Sequence, residues 1–235
     1  MQPSPPAASP APAAAPASAA PAAPGPQPVP VALLLAAGQG RRLGLGPKAL
    51  LPYRGRPLLE HAVSVLRAGG CARVLVVLGA EADLVTAQAE LSGCEVVRNP
   101  DWESGMGSSL RVGLAALPPD APAALVALVD TPGVTAGAVA RLLAAHRRGS
   151  ALAAAAYGGR RGHPVLIGAE HWAQASAGAV GDSGARELLR ARAAELDLVE
   201  CGDVGVPDDI DTPEAWAAWQ ARWLPVRSPR CLSAK

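Results

Sequence analysis

The stretch "LLLAAGQGRRLGLGPKALLP", residues 33–52, passes from an unbroken apolar run into glycines, arginines and a lysine. Leu and Ala without polar alternation read as a strand buried on both faces, as in parallel sheets covered by helices. The glycines that follow let backbone N–H groups curl inward and cradle phosphate oxygens. Gly38, Gly40 and Gly44 lack the spacing of G-x-G-x-x-G, and Lys48 does not stand in G-K-[ST], so neither dinucleotide nor Walker fingerprint applies. Arg41, Arg42 and Lys48 add the cations that a triphosphate needs. Arginine clamps two oxygens at once, whereas lysine offers a compact charge able to follow a migrating phosphate. Lys48 is one of only two lysines in the chain, the other being Lys235. A solvated surface loop is the competing reading of the same charges.

Working outward, β-rich apolar runs recur at 31–37, 73–79, 94–99, 123–130, 163–168 and 196–201. Between them, "PLLEHAVSVLRAGG" (57–70) has Pro at a helix entrance and paired glycines at its exit. "TAGAVARLLAAHRRG" (135–149) opens on a Thr cap and closes on basic residues and Gly. The alternation predicts an α/β fold, a three-layer α/β/α sandwich on a mostly parallel, Rossmann-like sheet. "GGRRGHPVLIG" (158–168) is expected to pair antiparallel, as a lid or an edge. Ligands of such sheets sit outside the carboxyl ends of the strands. The unusual stretches 36–48, 99–109, 130–133 and 158–164 all fall at or beside predicted strand ends.

The chain has 235 residues and a formal charge of +1, which gives no electrostatic pull toward nucleic acid or an anionic membrane. No apolar run approaches the roughly 18–20 residues that span a bilayer. Residues 1–30 are Ala/Pro-rich and uncharged and read as a disordered arm without the basic start of a signal peptide. Residues 31–221 read as one domain and 222–235 as a frayed tail. Cys71, Cys94, Cys201 and Cys231 are scattered, which predicts reduced thiols in the cytoplasm, no zinc site, and Cys71 and Cys94 in the core.

"AALVALVDTPGV" puts Asp130 at the tip of a buried strand, suited to hold Mg2+ beside substrate phosphates. Thr135 is the better cap for the next helix. In "DDIDTPEAW", Asp211 either gives a second metal carboxylate, orients an acceptor, or serves with Asp209 as a solvated acid capping the next helix; Thr212 is the other candidate cap, with Pro213 at the first helical position. Ser108 and Ser109 are expected to expose hydroxyls and helix-start N–H groups to an anion or a base, and Trp102 to pack. Arg160, Arg161 and His163, next to paired glycines, suit an anionic acceptor. Asp182 and Arg186 are acceptor contacts or ordinary helix-start charges, and His61, His146 and His171 sit in helical patterns away from chemistry.

Taken in order, "LLLAAGQGRRLGLGPKALLPYRGRPLLEHAV", "NPDWESGMGSSLRVGL", "ALVDTPGV", "GGRRGHPVLI", "GDSGARELL" and "DIDTPEAW" resemble MobA-like nucleotidyltransferases across nearly all of residues 31–219. Leu43 stands where that family commonly has Met, and Thr131 where it often has Gln or Met. The resemblance implies the nucleotide-diphospho-sugar transferase type of sheet. It also implies transfer of a nucleoside monophosphate from a triphosphate to a phosphorylated acceptor, with release of pyrophosphate. Arg41, Lys48 and Asp130 are then catalytic. Leu35, Ala36, Ala37, Gly38, Gly40, Asn99, Gly105, Ser108 and Ser109 join Arg41 and Lys48 around the nucleotide. Arg160, Gly162, His163, Asp182 and Arg186 face the acceptor, and Asp130 and Asp211 hold Mg2+. The "GMGSSL" element is similar to the cytidylyltransferase branch, which implies CTP, molybdopterin as acceptor and a molybdoenzyme as client. Two other activities accompany the family: an oxidoreductase branch acting on the pigment nicotine blue, and a non-catalytic molybdopterin chaperone.

Overall fold

The computed structural model describes residues 29–223, so the expectations for the arm and most of the tail lie outside the described residues. A seven-stranded sheet has the order β5-β4-β1-β6-β8-β7-β9. Its members are β1 (Val31–Ala36), β4 (Val74–Leu78), β5 (Glu95–Arg98), β6 (Ala123–Leu128), β7 (Leu152–Tyr157), β8 (Arg160–Gly168) and β9 (Asp197–Glu200). β2 (Pro52–Tyr53) and β3 (Arg56–Pro57) form a separate two-residue hairpin after the glycine loop. The helices are α1 (Leu58–Ala68), α2 (Ala82–Gln88), α3 (Met106–Ala115), α4 (Ala136–Arg147), α5 (Trp172–Gly178), α6 (Arg186–Ala191) and α7 (Pro213–Trp223).

β1 is buried along its whole length and pairs in parallel with both β4 and β6. Its alternate residues serve two different cores, as the period of a strand requires. Ala32, Leu34 and Ala36 pack with residues of α1, α4 and α7. Val31, Leu33 and Leu35 pack with Leu110 and Leu114 of α3 and Leu188 and Leu189 of α6. Two apolar layers around one sheet are the predicted three-layer sandwich. α4 begins as expected, with Thr135 Oγ1 accepting from the Ala138 N–H at 3.3 Å.

β8 corrects the sequence reading. It is antiparallel, but it lies between β6 and β7 inside the sheet and is neither a lid nor an edge. Its exposed, polar first residues resemble an edge because they overhang the sheet, while Val165, Leu166 and Ile167 are buried. Being antiparallel, β8 starts where its parallel neighbours end, so residues 160–163 join the carboxyl-end rim. Cys71 is core as expected, whereas Cys94 is only half-buried, with Arg67 Nη2 3.4 Å from its Sγ.

Candidate active site

The rim at the carboxyl ends of β1, β5 and β6 surrounds a cleft of about 710 Å³. Its floor begins where β1 gives way to the glycine loop. Gly40 adopts a φ of +70°, and a Cβ there would come within 2.5 Å of the Gly46 carbonyl oxygen. Only glycine permits that fold-back, in which Leu43 and Gly44 donate their N–H groups to the Gly40 carbonyl at 3.0 and 3.1 Å. The loop then delivers Lys48 into the cleft at the start of a single 3-10 turn, Lys48–Leu50.

Lys48 Nζ donates to Asp130 Oδ2 at 2.7 Å and also to Asp211 Oδ1. Backbone pairing explains why a carboxylate 81 positions further along the chain arrives at the same point: the Ile210 N–H donates to the Asp130 carbonyl at 2.9 Å, and the Val206 N–H to the Gly133 carbonyl at 3.1 Å. Arg42 Nη2 holds the other oxygen of Asp211, Oδ2, at 2.9 Å. Burial pulls the Lys48 pKa down, but the neighbouring Asp130 and Asp211 carboxylates outweigh it and keep the ammonium above the usual lysine range. Burial opposes ionisation of Asp211, yet Lys48 and Arg42 hold its carboxyl below the usual range. Asp209 faces the same cleft, its pKa raised by burial and then by the charges of Asp211 and Asp130. Thr212, not Asp211, caps α7, accepting from the Ala215 N–H at 3.2 Å. Capping is therefore removed from the alternatives for Asp211.

The opposite wall comes from the segment after β5. Gly105, at φ +105°, brings the start of α3 so close to the 181–182 turn that a Cβ would lie 2.5 Å from the Gly181 carbonyl carbon. The serine expectation is corrected here. Ser108 and Ser109 are both buried. Asn99 Nδ2 donates to their hydroxyl oxygens at 2.8 and 3.0 Å, and the Ser108 hydroxyl donates to the Asp101 and Gly105 carbonyls. Asn99 and Ser108 thus pin the loop from behind, and of the three only Ser109 reaches the cleft wall. Trp102 does more than pack, since it lines the cleft with the Arg41 guanidinium 5.8 Å from its ring centroid. Arg41 also pairs with Glu103 at 3.2 Å across the mouth.

The remaining expected residues divide. Leu35, Ala37, Gly38, Gly40, Arg41, Gly105, Gly162, His163, Asp182 and Arg186 line the cleft. Ala36 does not, because its strand position turns it into the α1 core. Nor does Arg160, which is paired with Tyr157 across the β7–β8 turn, and Arg161 takes the cleft position instead. A side chamber of about 210 Å³ opens behind this end, walled by Leu35, Leu110, Val126, Leu128, Val165 and Leu189 and rimmed by Arg161, His163, Asp182 and Arg186. Gln39, Glu103 and Met106 also line the cleft, and their sequence carries no signal beyond standing next to motif residues.

No group of three or more His, Cys, Asp or Glu with metal-holding geometry occurs among the described residues. Mg2+ asks for less, usually one or two carboxylates with water and substrate phosphates completing the shell. Asp130 and Asp211, converging on one cationic point beside a third carboxylate, fit that requirement.

A glycine-cradled cation pair facing carboxylates at the open ends of a mostly parallel sheet defines a nucleotidyltransferase-type protein with the nucleotide-diphospho-sugar transferase fold. The chain belongs to the MobA-like NTP transferase domain family, whose profile matches residues 32–196. It is 47% identical over 186 residues to a nicotine blue oxidoreductase of Paenarthrobacter nicotinovorans, a match covering 76% of this chain and 90% of that one. It is also similar to the solved structure of Rv0371c from Mycobacterium tuberculosis in complex with manganese, at 28% identity and a TM-score of 0.69 over 83% of this chain and 99% of that one. A nucleotidyl transferase of Methanothermobacter thermautotrophicus shares the fold, with a TM-score of 0.69 at 24% identity over 82% of this chain and 96% of the other. No helix among the described residues is long and apolar enough to cross a membrane.

Proposed function

We propose that the protein transfers a nucleoside monophosphate, CMP in preference, from a triphosphate to the terminal phosphate of a molybdopterin-type acceptor, with Mg2+. The observation that carries this reading is the convergence of Lys48, Asp130 and Asp211 at the mouth of the glycine loop. An acceptor phosphate oxygen attacks the α-phosphorus in line, the bond from that phosphorus to the β-phosphate bridging oxygen breaks, and pyrophosphate leaves with the bonding pair. An ionised phosphate needs little help from a base, so positioning and charge neutralisation carry the catalysis. Lys48 and Arg42 are placed to move from carboxylate to phosphate partners, and Arg41 approaches from the mouth. Mg2+, held by Asp130 and Asp211, would supply neutralisation of the phosphate oxygens. The side chamber, apolar with Arg161 and Arg186 on its rim beside Asp182, suits the ring and anionic end of the acceptor.

CTP is favoured on the similarity of residues 105–110 to the cytidylyltransferase branch. Pyrophosphate release measured with each of the four triphosphates, with molybdopterin and Mg2+ present or omitted, tests the reading. Release with none of them rejects it. The 47% identity to a nicotine blue oxidoreductase favours a second reading, redox chemistry on an aromatic pigment in the same chamber. NAD(P)H consumption with a quinoid dye, in a protein that turns over no triphosphate, would establish it instead.

A further inference from the structure

The cleft holds its own cation where a metal ion would bind. Both oxygens of Asp211 are occupied, Oδ1 by Lys48 and Oδ2 by Arg42, and the same ammonium takes Oδ2 of Asp130. The lysine side chain is only 13% exposed, so it cannot step aside into water without leaving this pocket. We propose that Lys48 is an internal counter-ion that plugs the metal position, so that a divalent cation is admitted only as a triphosphate draws the lysine away.

This rests on the nucleotidyltransferase reading and deepens it. Three carboxylates, Asp130, Asp209 and Asp211, share the floor with Lys48 and Arg42. A divalent ion arriving alone has to displace the ammonium from Asp130 and Asp211 and then sit beside it, with Asp209 the remaining carboxylate on the floor to offset two cations. A polyphosphate changes that balance by offering Lys48 and Arg42 new oxygen partners, which releases both carboxylates to the metal. Metal and nucleotide then help each other to bind, and such coupling between two sites is reciprocal. The plug also spares the free protein an uncompensated pair of half-buried negative charges, those of Asp130 and Asp211.

The near absence of lysine elsewhere makes this measurable. The protein labelled with 15N and 13C at lysine carries two side-chain ammonium groups, those of Lys48 and Lys235. In the free protein, the Lys48 ammonium signal is expected to be displaced and slow to exchange; Asp211→Asn should move it toward that of free lysine. Millimolar Mg2+ alone should leave it in place. Mg2+ with α,β-methylene-CTP, which cannot release pyrophosphate, should shift it. Without nucleotide, Lys48→Met should bind Mn2+ about 5–150-fold more tightly than the wild type by electron paramagnetic resonance, the usual span of such couplings. The proposal is overturned if Mg2+ alone moves the Lys48 signal as far as Mg2+ with the triphosphate, or if Lys48→Met gains no Mn2+ affinity. A Lys48→Met protein that gains Mn2+ affinity, beside a wild-type signal that no triphosphate moves, overturns the nucleotide reading and the proposed release, and leaves the plug itself standing.

Discussion

At the scale of single residues, Lys48 has the most to lose by substitution. Lys48→Ala should lower pyrophosphate release about 100-fold or more, the usual effect of removing one transition-state stabiliser, with the fold intact by circular dichroism. Wild-type release by that variant would remove the role. Gly40→Ala acts on the same point through the backbone, because the added methyl meets the Gly46 carbonyl and the residue must hold φ +70°. It should weaken triphosphate binding in a calorimetric titration even though no ligand-facing side chain has changed. Cys71 tests the interior: burial pushes its thiol up to about 12, so it stays protonated at neutral pH. Peptide mapping after alkylation near pH 8 should find Cys71 unmodified in the folded protein and modified in denaturant. Lys48 and Asp130 were legible in the sequence because the first closes the glycine loop that follows β1 and the second lies just past the end of β6, each with unusual neighbours. The bond from Arg41 to Glu103, 62 residues away, leaves no local pattern, whereas the exposure assigned to Ser108 fails because Asn99 and the Asp101 and Gly105 carbonyls, all close by in the chain, turn its hydroxyl inward.

Among the elements, the strands buried on both faces were the easiest to read, β1, β4 and β6 showing as near-continuous apolar runs. β7 was not, because "LAAAAY" carries alanine where strands usually carry branched side chains, and only its position between β8 and β9 makes it a strand. The β7–β8 turn is fixed by a third element. Glu200 at the end of β9 accepts from the N–H groups of Gly158, Gly159 and Gly202 at 3.0, 3.0 and 2.9 Å. These bonds, from Gly159 first, hold its carboxyl below the usual range. Glu200→Gln gives up one acceptor oxygen, and hydrogen exchange at Gly158 and Gly159 should quicken with little change elsewhere. Thr135→Ala removes the cap of α4 and should cost about 1 kcal/mol in denaturant unfolding.

For the whole molecule, acid sensitivity follows from two histidines. Burial lowers the pKa of His61, helped by Arg54 and opposed by the Pro132 carbonyl; burial likewise lowers that of His163 against the pull of Asp130. The unfolded chain therefore takes up these protons first, near the ordinary value of 6.5. Their contribution to stability is complete above that value and declines as the pH falls below it. Thermal midpoints should drop between about pH 7 and pH 5.5, and less steeply in a variant carrying both His61→Gln and His163→Gln. The order of the sheet carries a further consequence, for synthesis on the ribosome. β9 ends at Glu200, so the last strand of the described sheet leaves the tunnel before Asp211 follows it. A protease-clipped chain, or a nascent one emerged only that far, can complete all seven strands of this sheet yet leave the ammonium at Lys48 without its second anchor, and would be assembled but chemically unfinished.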